Sequence, residues 1–166
     1  MKPKIILLAA LALVAQRLLG VPPVPAFLSL IILPMVWVVA NVFLETERHW
    51  PYEILLLGLA WDLLFGPVVG PGGIAWTAAS FALFWMASVV ADRSPKAWAA
   101  FGSVGTLVMH LVHRLAVIPL GLANFPTLAD VLWSAVLTGL WCGFAGTILA
   151  LDVGKRWRAH RVRKLR

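Results

Sequence analysis

Six apolar runs, separated by short polar or Gly/Pro segments, set the pattern of the chain. They cover residues 5–19, 26–44, 51–66, 74–91, 97–118 and 130–151. Each run is close to the ~20 residues that a helix needs to cross a bilayer. The pattern predicts an all-α polytopic membrane protein with six transmembrane helices. The breaks carry their own signals. Val21-Pro22-Pro23-Val24-Pro25 is a stiff connector, because each Pro fixes φ and removes a donor. Pro34 lies inside the second run and predicts a kink there. Glu45 to His49 is a polar loop. Gly66-Pro67 and Gly70-Pro71-Gly72-Gly73 break the helix twice. Asp92 to Lys96 is a polar turn, and Pro119 to Ala129 is an uncharged connection up to Asp130.

Composition agrees with lipid as the solvent. The 166 residues are 61% hydrophobic and only 13% charged, against about 25% charged in soluble domains. Lys2 and Lys4 before Ile5–Leu19 resemble the start of a signal peptide. Leu13 stands where cleavage wants a small residue, and Gln16-Arg17 follow Ala15, so the first helix is expected to be retained. The net charge of +7 does not imply nucleic acid. Seven of the fourteen Lys and Arg stand in the last twelve residues. Cations also mark the N-terminus (Lys2, Lys4), the second loop (Arg48) and the fourth (Arg93, Lys96), while the third and fifth loops have none. By the positive-inside rule this places both termini in the cytoplasm. The expectation is a membrane domain over 1–154 followed by a basic cytoplasmic tail over 155–166.

The apolar runs contain a few ionisable groups. Asp62 lies within the third, and Gly58, Asp62 and Gly66 are four apart, so they share a helical face. An acid inside a span marks a functional or paired position. Asp62 is about 15 Å into its helix, and His110 about 20 Å into its own, at 1.5 Å per residue. Arg114 is one turn beyond His110, and Arg17 ends the first run. A buried acid and base at one depth should pair. This predicts a polar cluster of Asp62 with His110 or Arg114, joined by Arg17. A structural or partner-binding role for it is preferred over a ligand, proton or ion site. His110 and His113 are three apart, but a third metal ligand is missing, so no metal is expected. Cys142 is alone in an apolar run, which excludes a disulfide.

Other features have plainer readings. Gly139 and Gly143 form a small-xxx-small pair for helix contact, and Ala75, Ala78, Ala79 and Ala82 form a small face. Trp50, Trp98 and Trp157 fit the cytoplasmic interface. The tail cations Lys155, Arg156, Arg158, Arg161, Arg163, Lys164 and Arg166 suit anionic lipid or an acidic cytoplasmic partner. No nucleophile elbow, phosphate-binding loop, dinucleotide fingerprint or HExxH is present, so neither an enzyme nor a cofactor is expected.

The stretch Gly58-Leu59-Ala60-Trp61-Asp62-Leu63-Leu64-Phe65-Gly66, then Val69-Gly70 and an apolar helix ending in Ala91-Asp92-Arg93, resembles the rod shape-determining MreD family. The likeness covers nearly the whole chain in layout, but in residues only Gly58 to Gly70. The many Trp, the Pro-rich outer turn and the His110, His113, Arg114 group depart from the family's pattern. The resemblance implies a non-enzymatic, multi-pass scaffold in the bacterial cytoplasmic (inner) membrane. Such a protein binds MreC. It supports peptidoglycan synthesis by RodA and its class B penicillin-binding transpeptidase, and links them to the MreB filament. Gly58, Asp62, Gly66 and Gly70 carry over as the motif residues. The rival reading is a substrate-binding membrane subunit of a vitamin-type uptake transporter, with Asp62, His110, Arg114 and several Trp lining a pocket.

Overall fold

The computed structural model of the chain describes residues 3–23, 25–44, 50–90, 92, 94–121 and 126–164, without the side chains of 3–8, 26, 44, 50–51 and 152–164. The helices are α1 (Pro3–Leu19), α2 (Ala26–Ser29), α3 (Leu33–Leu44), α4 (Trp50–Phe65), α5 (Pro71–Val89), α6 (Pro95–Val117) and α7 (Leu128–Lys164). A 3₁₀ turn, Ile118–Leu120, follows α6. The described residues contain no strand.

Among the described residues, three helices are long and apolar enough to cross a membrane: Pro71–Val89, Pro95–Leu120 and Leu128–Leu151. The others are shorter. The second apolar run is not one kinked helix. It is broken at Leu30 to Ile32 into the single turn of α2 and the longer α3. Pro34 stands in the first turn of α3, where its missing N–H has no partner to lose, so it starts a helix instead of bending one.

Local chemistry explains where the long helices begin. The Ser94 hydroxyl accepts from the Ala97 N–H, with Pro95 next to it at the first helical position of α6. The Asp92 carboxylate in turn accepts from the N–H and hydroxyl of Ser94. At α7, Thr127 and Asp130 cap reciprocally. Asp130 Oδ2 accepts from the Thr127 N–H, and the Thr127 hydroxyl accepts from the Asp130 N–H. These caps start both helices two residues earlier than the apolar runs suggested. Glu53 lies in the first turn of α4, as expected for an acid at a positive helix end.

α3 runs through the middle of the bundle. Its Met35, Val38 and Val39 are fully buried with Ile54 of α4, Trp76, Ala79 and Leu83 of α5 and Phe101 of α6. Phe43 closes one end of this core, stacked on Trp98 at 5.2 Å and tilted against Phe101 at 4.5 Å. Trp98 is therefore buried in the core of the bundle. Trp50 and Trp157 fall outside the described side chains.

The α6–α7 pair meets on small residues. A Cβ on Gly139 would lie against the Ser103 hydroxyl and within 2.8 Å of the Ala99 carbonyl. One on Gly143 would lie 3.1 Å from Ala99 Cβ, and one on Gly146 2.6 Å from Trp98 Cγ. Gly102 faces Cys142, whose thiol is free and buried. The Gly139/Gly143 pair thus extends by one more glycine, and close backbone approach replaces side-chain interlocking. α7 also runs on past the apolar segment to Lys164, so the backbone expected to be a separate tail continues the last helix. The tail side chains lie outside the described residues.

Candidate functional site

Two places in the bundle concentrate polar contacts. The first is the joint between α4 and α5. Asp62 is 1% exposed. Its Oδ2 accepts from the Gly70 N–H at 2.7 Å and the Gly72 N–H at 2.8 Å, and its Oδ1 from the Gly72 N–H at 3.0 Å. A helix N-terminus exposes N–H groups without intrahelical partners and carries positive partial charge. Asp62 caps α5 from the preceding helix, across the intervening turn.

The glycines make that geometry possible. Gly70 has φ +130, a conformation that side chains strongly disfavour, and it turns the chain into α5. A Cβ on Gly72 would collide with the Asp62 carboxylate and lie 2.9 Å from the Gly58 carbonyl. A Cβ on Gly58 would lie 2.7 Å from both Gly72 O and Gly73 Cα. At Gly66, which ends α4, one would lie 3.0 Å from the Asp62 carbonyl. Gly58 and Asp62 therefore form the inner face of a tight helical hairpin, and Gly66 ends α4 at its exposed turn.

This corrects the expected cluster. Asp62 makes no ion pair among the described residues; its partners are backbone N–H groups eight and ten residues ahead. The helix end supplies the positive partner that a cation was expected to supply. Arg114 sits exposed in the last turn of α6.

The second place is the break between α2 and α3. Its backbone groups are met by side chains from distant parts of the chain. The Thr138 hydroxyl accepts from the Ile32 N–H at 2.9 Å, and Gln16 Oε1 from the Leu33 N–H at 2.8 Å. Gln16 Nε2 donates to the Ser29 carbonyl at 3.3 Å, and the Ser134 hydroxyl to the Leu30 carbonyl at 2.7 Å. His110 Nε2 lies 3.4 Å from the same hydroxyl. Gln16, Ser134 and Thr138 are all buried. Irregular backbone within an apolar bundle persists only where such groups satisfy it or where it lines a cavity.

Here both conditions hold. A cavity of about 240 Å³ lies beside the break, bounded by Leu30 and Ile32. Arg17, Trp61, Phe65, His110, Asp130 and Ser134 complete its polar and aromatic wall. It lies toward the end of the bundle where α1 and α4 finish and α7 begins. The Arg17 guanidinium is 5.7 Å from the centre of the Phe65 ring, and Phe65 packs on Trp61 at 4.4 Å. Trp61 meets the buried Trp76 edge-on at 5.6 Å.

Arg17 and His110 thus come together at one cavity, as the expected cluster required, but without Asp62 or Arg114. Sequence reasoning overlooked Gln16, Ser134, Thr138 and Asp130. A signal existed for two of them: Ser134 and Thr138 are hydroxyls four apart on one face of an apolar helix. No group of three or more His, Cys, Asp or Glu that could hold a metal occurs among the described residues. No protein-family model matches the chain, and no curated protein or solved structure matches it.

Proposed function

We propose that this chain is a non-enzymatic membrane scaffold of the MreD kind. In this reading it crosses the bacterial inner membrane six times with both termini in the cytoplasm. It binds MreC, supports RodA and its transpeptidase partner in cell elongation, and meets the MreB filament or anionic lipid with its basic tail. The observation that supports the reading is the use of the resembling stretch. Gly58, Asp62, Gly66 and Gly70 build an internal hairpin joint, and Asp62 is occupied there by backbone donors. A residue committed in this way shapes a surface for a partner instead of handling a substrate. The test is purification of the tagged chain from its native membrane in gentle detergent, with identification of what accompanies it. Recovery of MreC and the elongation synthase is the expected result. An ATP-binding module in their place overturns the scaffold reading.

One observation favours the uptake-subunit reading: the cavity beside the broken span. Broken membrane helices and cavities between them are the usual construction of transporter sites. Under that reading Arg17, His110 and Trp61 line the pocket, and Asp62 and Arg114 do not.

A further inference from the structure

The geometry points to a binding site for a zwitterion in the cavity beside the broken span, with Arg17 holding its anionic group and Asp130 its ammonium group. The inference goes beyond the scaffold reading and does not depend on it, since a scaffold and a transporter subunit can both hold such a ligand.

Three observations carry it. First, the wall pairs charges of opposite sign from different helices. Arg17 is in the last turn of α1 and Asp130 in the first turn of α7. Neither forms an ion pair among the described residues. The guanidinium rests over the Phe65 ring, where its N–H edges remain free for an anion while its face is covered. Both Thr127 donors fall on Asp130 Oδ2, so Oδ1 has no partner among the described residues. A wall of one cation and one anion selects against ligands with a net charge of either sign.

Second, the volume suits a small head group. At about 30 Å³ per water-sized group, 240 Å³ holds roughly eight such groups. That is below the ~300–1,000 Å³ typical of pockets enclosing a drug-sized molecule. A phosphoethanolamine or a small aliphatic amino acid has about that many non-hydrogen atoms. Third, the rest of the wall joins neutral polar groups, Gln16, His110 and Ser134, to an aromatic side. Trp61 and Phe65 suit the methylenes between the two charges, and aromatic faces also attract ammonium groups.

The same chemistry has two sources, a phospholipid with a phosphoethanolamine head group or a free small zwitterion. The experiment uses the full chain in detergent. Native mass spectrometry follows exchange against phosphatidylethanolamine or phosphatidylglycerol. Equilibrium dialysis is run with glycerophosphoethanolamine and leucine, both net-neutral zwitterions, and with glycerol 3-phosphate as the anionic control. Arg17→Gln and Asp130→Asn are compared with the unaltered chain, and thermal unfolding checks that each variant is folded. Retention of phosphatidylethanolamine over phosphatidylglycerol, weakened about tenfold or more in both variants, identifies the lipid as the source. Binding of the free zwitterions with the same double dependence identifies a solute. The inference is overturned by equal or stronger binding of phosphatidylglycerol or glycerol 3-phosphate. It also fails if folded variants of both kinds bind as the unaltered chain does, or if neither lipid nor solute is held.

Discussion

The α4–α5 joint and the break between α2 and α3 face one problem and meet it with different chemistry. Each leaves backbone N–H groups without helical partners inside an apolar bundle, where an unmet donor is costly. The joint uses one carboxylate, supplied locally, and seals it: Asp62 is 1% exposed and the glycines close over it. The break uses neutral groups, the Gln16 amide and the Ser134 and Thr138 hydroxyls, drawn from both ends of the chain. A carboxylate matches a helix N-terminus because the helix supplies positive partial charge. The break from Leu30 to Ile32 offers both N–H and C=O groups, and neutral side chains that can donate and accept suit both. The joint is closed by its glycines, whereas the satisfied break borders the cavity.

Substitutions separate the two regions. The largest effect is expected for Gly72→Val, whose side chain would strike both the Asp62 carboxylate and the Gly58 carbonyl. Overpacking together with lost hydrogen bonds should cost about 3–5 kcal/mol. Thermal unfolding in detergent and size-exclusion chromatography should show a destabilised, heterogeneous protein; a native profile would mean that the hairpin is looser than described. Next comes Asp62. Asp62→Ala orphans the Gly70 and Gly72 N–H groups and should cost about 2–6 kcal/mol at about 1–3 per buried donor. Asp62→Asn keeps one accepting oxygen and should lose roughly half of that. If Asn proves as damaging as Ala, the charge itself matters and the neutral hydrogen bond does not suffice. The smallest effect belongs to the break. Thr138→Val leaves the Ile32 N–H unmet but keeps the volume, at about 1 kcal/mol, in line with the modest worth of single hydrogen bonds between membrane helices. Hydrogen exchange at Ile32 should rise while that at Gly72 does not. A rise at both would show that the two regions open together.

The helices were legible because apolar runs and capping residues are local signals. Pro71, Ser94 and Thr127 stand within three residues of each start that the apolar runs placed late. The face shared by Gly58, Asp62 and Gly66 was legible for the same reason. The partner of Asp62 was not. Matching charges by depth overlooked a helix N-terminus only eight residues ahead, where Gly70-Pro71-Gly72-Gly73 announced free N–H groups. The break was hidden more deeply. Thr138 and Ser134 lie more than a hundred residues from the groups they satisfy. Pro34 seemed to explain the irregularity by itself. The cavity follows from the break and could be read no earlier than it.

The length of α7 gives the break a mechanical reach. The helix is continuous for 37 residues, about 55 Å at 1.5 Å per residue. Thr138, which holds the broken span, is followed by 26 further residues to Lys164, about 39 Å of unbroken rod. The same helix carries the Ser134 and Thr138 hydroxyls that meet the break and, further along, Gly139, Gly143 and Gly146, which seat it on α6. One rod therefore sets the register of the broken span against the α6 face, and a shift of either must be shared by the other.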